Sequence, residues 1–203
     1  MSPGSTSSLP PQTFTFFAFD VTPQVFHHTN LSFAFVNIRP LLPGHILISP
    51  IRPVVRLSEL TDDEVADLFI TVKRVARTLE RVYDAPALTI PLQDGIEAGQ
   101  TVPHLHVHIL PRARLPAGEG DEKEQLGAKG LDEIYEKLEG EEGDFGAFLA
   151  LREARRRGRG KLAELEGIPL RSMEDMLKEA DMLRREVAKD EGERLREFQV
   201  RVV

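Results

Sequence analysis

The chain contains no cysteine among its 203 residues, which excludes a fold that depends on disulfide bonds but leaves the cellular compartment open. No apolar run approaches the roughly 20 residues that a membrane-spanning helix needs, and the first residues lack the features of a secretion signal. No broad basic stretch is present and the formal net charge is −7, which argues against a nucleic-acid polymer as partner. We therefore expect no membrane association and a cytoplasmic location, with the nucleus as an alternative.

Composition divides the chain into four stretches. Hydrophobic residues make up 41% of the 203 residues, enough for one core. Residues 1–12 are rich in Ser, Pro and Gly and are predicted to form a disordered leader, whereas residues 13–112 carry regular apolar patterns. Residues 113–168 are highly charged and are predicted to be a flexible, partly helical insertion. Residues 169–203 are predicted to form a C-terminal helix that packs on the core.

Short apolar runs bounded by turn residues predict strands at 31–37, 45–49, 87–92 and 104–110, after an aromatic-rich segment at 13–19. Between the second and third strands, Thr61-x-x-Glu64 has the form of a helix-capping box. Apolar residues then recur at helical spacing: Val65, Leu68, Phe69, Val72, Val75, Leu79 and Val82. Strands with one long helix between them predict an α+β fold with a mainly antiparallel sheet.

The predicted strand at 104–110 begins with three alternating histidines, His104, His106 and His108. On a strand their rings would share one face at steps of about 6.6 to 6.8 Å, while Leu105 and Val107 enter a core. Imidazole can act as a nucleophile, a general base or a metal ligand. An exposed polar face and a zinc site are the alternatives, although a zinc site in this chain would need a carboxylate in place of cysteine.

A polar loop with two glycines, Gly95 and Gly99, precedes these histidines at residues 93–103. Glycine permits positive φ and a close approach of backbone N–H groups to an anion. We interpret the loop as a phosphate cradle, and the alternative is a long hairpin connection with no ligand.

Residues 93–112, with His-Leu-His-Val-His inside them, resemble the signature of the histidine triad (HIT) family, in particular its fragile histidine triad (Fhit) branch. The block 31–50, which contains Asn37 and His45, is similar to that branch's first two core strands. Residues 170–183 are similar to its C-terminal helix. The resemblance implies a HIT-like α+β fold with a five-stranded antiparallel sheet, one long helix and a C-terminal helix. It also implies that the long helix covers one sheet face and that nucleotide binds on the other.

The resemblance implies a hydrolase of the bis(5'-adenosyl)-triphosphatase type, which cleaves dinucleoside polyphosphates such as diadenosine triphosphate. His106 would attack the α-phosphorus to form a nucleotidyl-histidine adduct, and water would then release AMP. His108 would donate a hydrogen bond to the departing phosphate, and His104 would shape the site. A divalent cation, Mg²⁺ or Mn²⁺, would arrive with the substrate, and no organic cofactor is expected. Family members are generally dimers, so we expect a homodimer.

The resemblance also assigns substrate contacts. The predicted phosphate contacts are Gln93, Gly99, Gln100, Thr101 and Val102. Asn37 would bind the ribose hydroxyls, with a turn cap as its structural alternative. His45 would support the histidines from the neighbouring strand, with a core histidine as its alternative.

Two features depart from the family pattern or extend it. Phe19-Asp20 stands where the family often has a base-contacting histidine, so Phe17, Phe19 and Leu47 are the candidates to hold a purine, and all three could instead be core. Tyr135 resembles a tyrosine in the family's flexible loop and is a candidate regulatory residue, with a surface aromatic as the alternative.

Two other functions remain open. The nucleoside phosphoramidase branch of the same superfamily shares the histidine triad but cleaves P–N bonds of AMP-amines. A nucleotide-sensing module would bind the dinucleotide as a signal, and turnover would only end that signal.

Overall fold

The computed structural model describes residues 12–112 and 171–201, and of 194–201 only the backbone. Most of the predicted leader, the insertion at 113–168 and Tyr135 therefore lie outside the described residues, and these assignments stay predictions. Within the described stretches, neither long helix contains an apolar segment sufficient to cross a membrane.

The strands and long helices follow one another in chain order. They are β1 (Thr15–Phe16), β2 (Phe19–Asp20), β3 (Val25–His28), β4 (Ser32–Val36), β5 (Ile46–Pro50), α1 (Asp62–Val82), β6 (Ala87–Thr89), β7 (Val107–Arg112) and α2 (Met173–Arg201). Single 3-10 turns occupy Thr22–Gln24, Leu57–Glu59 and Ile96–Ala98.

Five strands form one antiparallel sheet in the order β3-β4-β5-β7-β6, and β1 pairs with β2 in a separate hairpin. Every residue of β4 and β5 is buried, so both faces of the sheet centre are covered. The predicted α+β fold, with its five-stranded sheet, one long helix and a C-terminal helix, is confirmed.

Helix α1 begins with the predicted capping box. Glu64 N–H donates to Thr61 Oγ1 at 3.3 Å, and the Glu64 carboxylate accepts the Thr61 N–H at 2.8 Å. Arg52 pairs with the same carboxylate at 2.6 Å and lowers the pKa of Glu64 to about 2. One face of α1 is buried as predicted, but Phe69 is 44% exposed and so lies outside the buried stripe that the spacing suggested.

Helix α2 packs beside α1 on the same sheet face. Ser172 caps its start, since Asp175 N–H donates to Ser172 Oγ at 3.1 Å. Met176, Ala180, Leu183 and Val187 recur at helical spacing and are buried in the core between helices and sheet. The other sheet face carries a second core, which the β1–β2 hairpin covers with Phe14 and Phe16.

Two predicted strands have different bounds in the structure. The strand expected at 87–92 ends at Thr89, and beyond Pro91 only a single bridge joins Leu92 to Val107. The strand expected at 104–110 begins at Val107 and continues to Arg112. Proline has no N–H for a ladder, which explains the interruption at Pro91 and, opposite the histidines, at Pro50.

Candidate functional site

The three triad histidines lie on the sheet face opposite α1, although only His108 belongs to β7. His108 pairs with Leu47 of β5, whose side chain belongs to the core on that face. The rings of His104 and His106 both contact Phe16 from the β1–β2 hairpin, at 5.3 and 5.2 Å between ring centroids. The predicted common face is thus present, but it is formed by a strand and the irregular segment before it.

Contacts with the end of β5 hold this irregular segment. Leu105 N–H donates to the Val54 carbonyl at 2.7 Å, and Ser49 Oγ donates to the Leu105 carbonyl at 2.7 Å. These bonds replace the ladder that a continued strand would have made, so buried backbone groups stay satisfied. The segment is as firmly positioned as a strand would be.

Burial keeps the histidine rings at this site neutral. It lowers the pKa of His106 to about 4 and that of His45 to about 3, with the neighbouring His106 adding to the effect on His45. The pKa of His108 is lowered well below its ordinary value, and that of His104 is lowered too, in both cases chiefly by burial. Since water solvates an imidazolium far better than this interior does, each ring carries one hydrogen at neutral pH.

Hydrogen bonds to backbone groups fix where that hydrogen lies on His106. Its Nδ1 is 2.8 Å from the His104 carbonyl oxygen, which can only accept, so Nδ1 carries the hydrogen and donates it. The other nitrogen, Nε2, therefore presents a lone pair. His106 is only 4% exposed, so this lone pair is poorly hydrated and well suited to attack an electrophile.

A chain of hydrogen bonds from Leu41 through His45 determines which nitrogen of His108 carries its hydrogen. Leu41 N–H donates to His45 Nδ1 at 3.1 Å, so the hydrogen of His45 lies on Nε2. His45 Nε2 then donates to His108 Nδ1 at 2.8 Å, which places the hydrogen of His108 on its own Nε2. That Nε2 is buried and has no partner in the described part of the chain. His108 thus offers a hydrogen-bond donor beside the His106 ring, 4.8 Å away between ring centroids.

His104 is committed to structural contacts at both ring nitrogens. Phe17 N–H donates to Nδ1 at 2.9 Å, and Nε2 donates to the Pro50 carbonyl at 2.9 Å. The ring also stacks on Phe16. His104 therefore joins the hairpin to β5 and carries the carbonyl that orients His106, and its role in the reaction stays a prediction.

The predicted support from His45 is present in the contact with His108. Asn37 lies against the His45 ring, with its Nδ2 3.4 and 3.5 Å from the two ring nitrogens. Its Oδ1 accepts the Arg39 N–H at 2.9 Å, which is the turn-capping geometry considered as the structural alternative. The ribose contact of Asn37 stays a prediction.

The glycine loop has the predicted backbone but a different use of its N–H groups. Gly95 and Gly99 have φ of 108° and 82°, as a close turn requires. However, Gly99 N–H donates to the Ile96 carbonyl and Gln100 N–H to the Gly95 carbonyl. A compact 3-10 turn therefore uses these two N–H groups, and the phosphate contacts of Gly99 and Gln100 stay predictions.

Side chains complete the loop. Gln100 Oε1 accepts the Gly95 N–H at 2.9 Å, and its Nε2 donates to the Val55 and Val102 carbonyls. Gln100 is therefore a structural residue of the loop. The Val102 side chain is buried in the core beside the triad, Gln93 is half-buried at the bridge to β7, and Thr101 is half-exposed. The predicted phosphate contacts of the loop all stay predictions: Gln93, Gly99, Gln100, Thr101 and Val102.

The arrangement does not suit a metal centre formed by the triad. Both nitrogens of His104 and Nδ1 of His106 are bound to protein groups, so the three rings cannot direct nitrogens at one ion. Within residues 12–112 and 171–193, no cluster of His, Asp and Glu has the arrangement to hold a metal.

Sequence reasoning missed the backbone groups that orient the rings. Leu41 N–H, Phe17 N–H and the Pro50 carbonyl each bond a ring nitrogen, and none carries a side-chain signal. Phe17 was a candidate purine contact, and its ring is 48% exposed. Its φ of 53° is unusual for a bulky residue and is compatible with a constraint imposed by its bond to His104.

Comparison with known proteins agrees with this geometry. The model of the HIT domain matches residues 19–115. A bis(5'-nucleosyl)-tetraphosphatase [asymmetrical] of Schizosaccharomyces pombe is 40% identical over 182 residues, which cover 86% of this chain and 94% of that protein. The chain belongs to the histidine triad family, on its Fhit-like branch.

Other relatives of this HIT protein match the core. A bifunctional bis(5'-adenosyl)-triphosphatase/adenylylsulfatase FHIT of Arabidopsis thaliana is 45% identical over 63% of this chain and 65% of its own length. A bis(5'-adenosyl)-triphosphatase of Dictyostelium discoideum is 37% identical over 60% of this chain and 83% of its own.

Solved structures share the HIT-like fold. The Plasmodium falciparum diadenosine triphosphate hydrolase superposes with a TM-score of 0.59 at 22% identity, over 92% of this chain and 90% of that one. The Caenorhabditis elegans NitFhit protein superposes with a TM-score of 0.50 at 43% identity, over 64% of this chain and 31% of that larger one.

Proposed function

We propose that this Fhit-like protein hydrolyses dinucleoside polyphosphates to AMP and a second nucleotide through a nucleotidyl-histidine adduct. The observation that carries the proposal is the pairing of a lone pair on His106 Nε2 with a hydrogen on His108 Nε2, on adjacent rings 4.8 Å apart between centroids. One ring can attack phosphorus while the other gives a hydrogen bond to the departing oxygen. The relatives named as bis(5'-adenosyl)-triphosphatases support the same chemistry.

In the first step, His106 Nε2 forms a bond to the α-phosphorus and the bond from phosphorus to its bridging oxygen breaks. The Nε2–H of His108 donates a hydrogen bond to that oxygen, and the second nucleotide departs as a phosphate anion. His106 keeps its Nδ1 hydrogen on the His104 carbonyl, which stabilises the positive charge that develops on the ring.

In the second step, a water molecule attacks the adduct on phosphorus. The oxygen of this water bonds to phosphorus and its proton passes to solvent, while the P–N bond breaks to release AMP and returns the electron pair to His106 Nε2. His106 keeps its Nδ1 hydrogen and His108 its Nε2 hydrogen, so both rings are in their starting state. His45 keeps His108 oriented in both steps, because its Nε2–H remains directed at His108 Nδ1.

The length of the phosphate chain does not enter this chemistry, since only the α-phosphorus and its bridging oxygen react. The relative from Schizosaccharomyces pombe is named a tetraphosphatase, and it matches more of this chain than the relatives named triphosphatases. Diadenosine triphosphate and tetraphosphate should therefore both be assayed, and the ratio of their kcat/KM values gives the preference.

Trapping the adduct tests the proposal. The protein is mixed with a dinucleotide labelled at the α-phosphorus, quenched in alkali to preserve a phosphoramidate, and mapped by mass spectrometry. We expect the label on His106 and its loss in His106→Asn, whereas His28→Asn, a change at an exposed histidine, should leave labelling intact. Turnover without any labelled histidine, or a label on another residue, would overturn the mechanism.

The same assay separates the two alternatives. Faster cleavage of an adenosine phosphoramidate than of either dinucleotide would favour the phosphoramidase. A His106→Asn protein that still binds the dinucleotide and retains its cellular effect would favour the sensing module.

We also propose that a divalent cation, Mg²⁺ or Mn²⁺, enters with the substrate phosphates, because the described residues around the triad supply no carboxylate cluster for it. Activity should then follow the concentration of the metal–substrate complex, and the protein alone should bind neither ion tightly in calorimetry.

A homodimer is a further part of the proposal. Phe69 on α1 and Ile90 beside the edge strand β6 are each 44% exposed, and apolar exposure on adjacent elements favours self-association. Sedimentation should show a dimer, and the double change of Phe69 and Ile90 to Lys should give a monomer.

A further inference from the structure

A cavity lies on the side of the sheet away from the histidine triad. It is an open groove of about 780 Å³ between β3, the turn after it and the two helices. This volume lies within the range of small-molecule sites, about 300–1,000 Å³. The residues that line it and matter for its chemistry are His27 on β3, Asp67 and Arg74 on α1, and Arg184 and Glu191 on α2.

An irregularity in β3 places His27 in this groove. The pairing with β4 changes register between Val25 and His27, which inserts Phe26 as an extra residue. Phe26 is buried in the helix-side core, and the next residue, His27, pairs with Ala34 of the same core. The bulge therefore directs two successive side chains toward the helices, where regular alternation would direct only one.

Two nitrogen atoms at this groove are buried without partners. His27 Nε2 and Arg74 Nε have no hydrogen bond within residues 12–112 and 171–193. None of the ion pairs in the described part of the chain includes Arg74. A guanidinium N–H can only donate, and leaving it buried and unsatisfied is costly, so native proteins rarely do so unless a ligand or water completes the site.

Asp67 and Arg184, which also line the groove, differ from Arg74. Asp67 accepts hydrogen bonds from the hydroxyls of Thr29 and Ser32, and Arg184 pairs with Asp181 and donates to the Val25 carbonyl at 2.8 Å. Their hydrogen-bonding groups are thus already engaged. Arg74 remains the cation of this groove that has no partner among the described residues.

We propose that the groove is a second ligand site, which binds an oxyanion of a small molecule through Arg74 and His27. A phosphate or a carboxylate supplies the acceptor oxygens that both nitrogens lack, and the guanidinium matches the planar arrangement of such oxygens. The proposed hydrolysis uses neither residue, so a failure of one proposal does not bear on the other.

Binding should depend on pH through His27. Burial lowers its pKa below the ordinary value, against an opposing effect of Glu191, while Arg74, His28 and Asp67 also face it and Arg184 lines the same groove. Without a bound anion, the His27 ring is therefore neutral at pH 7. A bound oxyanion raises the pKa of His27, so the ring takes up a proton on binding and affinity increases as the pH falls.

Residue-resolved NMR of the full-length protein tests the site. The ¹⁵N-labelled chain is titrated with inorganic phosphate and, separately, with acetate, and the Arg74 Nε–H and His27 ring signals are followed. We expect both signals to shift in a saturable way, and the anion that saturates at lower concentration identifies the source of the oxyanion. Sulfate, whose charge is constant from neutral to mildly acidic pH, should bind more tightly as the pH is lowered.

Three variants sharpen the result. In Arg74→Gln, the dissociation constant of the anion measured from the His27 signal should rise by about tenfold or more, as expected for a lost charged hydrogen bond. In His27→Gln, the dissociation constant measured from the Arg74 signal should rise, and it should no longer change with pH. Lys178→Gln removes an exposed cation of α2 that does not line the groove, and should change nothing.

Absence of any shift at Arg74 and His27 with all three anions would overturn the proposal, and so would a shift at His27 that persists unchanged in Arg74→Gln. Shifts confined to the rings of His106 and His108 would also overturn it, because the anion would then occupy only the triad site.

Discussion

His45 Nε2 lies 2.8 Å from His108 Nδ1 and joins the loop before β5 to the last histidine of the triad. Because Leu41 N–H occupies the other nitrogen of His45, this contact has one direction, from His45 to His108. A backbone amide in the β4–β5 loop thus determines which nitrogen of His108 carries the hydrogen that faces the substrate.

Removing His45 should therefore slow the chemical step more than it weakens binding. We expect His45→Leu to lower kcat by about 10- to 100-fold, the usual effect of losing a partner that orients a reacting histidine, with little change in KM. His45→Gln, whose side-chain amide can still donate to His108, should recover part of kcat. Steady-state kinetics on diadenosine triphosphate gives both values.

A substrate with a good leaving group provides the control for this variant. A nitrophenyl ester of AMP releases an anion whose charge is delocalised over its ring, so its departure depends less on the hydrogen bond from His108 and its cleavage by His45→Leu should be nearer normal. An equal loss on both substrates would show that His45 acts by general destabilisation and not through the hydrogen on His108.

The low pKa of His106 predicts an unusual pH profile for adduct formation. Burial lowers this pKa to about 4, so the lone pair on Nε2 remains available well below the pH at which an ordinary imidazole is protonated, about 6.5. The rate of adduct formation should stay constant from pH 7 to about 5. Rapid-quench measurements give this rate if the protein is held only briefly at each acidic pH and the reaction is stopped in alkali. A decline in the rate centred near pH 6.5 would contradict the buried state of the ring.

Stability should fall with acid before the nucleophile is protonated. The folded pKa values of His106 and His45 are depressed to about 4 and about 3, so the unfolded chain binds more protons below pH 6.5. Linkage then makes the free energy of unfolding fall as the pH falls from 6.5 toward these values, by about 1.4 kcal/mol per pH unit for each proton taken up. Urea unfolding at pH 7.5, 6 and 5 measures this slope.

Helix α1 and the central strands could be predicted because their signals are local. The capping box of Thr61 and Glu64 and the apolar runs of β4 and β5 act within a few residues along the chain. The start of β7 could not be predicted, because it depends on Leu105 N–H bonding Val54, which is distant in sequence. The fate of the loop N–H groups at Gly99 and Gln100 likewise depends on a 3-10 turn with weak propensity signals.

Gly44 should tolerate no side chain. Its φ is 78°, and a Cβ there would lie 2.6 Å from the ring of Tyr83 at the end of α1. Gly44→Ala should destabilise the protein by about 1–3 kcal/mol through backbone strain and overpacking. Tyr83→Leu in the same chain should recover the overpacking part only, and the difference between the single and double variants in urea unfolding separates the two causes.

At position 17, a glycine variant should be more stable to unfolding than an alanine variant, the reverse of the usual order. Its φ of 53° lies in the left-handed region, where a side chain costs about 1–2 kcal/mol and glycine costs little. Phe17→Gly should therefore be more stable than Phe17→Ala by about 1 kcal/mol, although both lose the same ring. Both variants keep the N–H that bonds His104, so their His104 signals in NMR should match those of the parent.

Arg171, just before α2, donates its backbone N–H to the carbonyl of Ile38 at 3.1 Å, and Ile38 directly follows Asn37. The described chain therefore ends in β7 at Arg112 and begins again at Arg171 beside the loop that carries His45. Both residues are held by the core, through the β6–β7 pairing and through Ile38. We therefore expect a change in the number of residues between them to leave the hydrogen bonds of the three histidines in place.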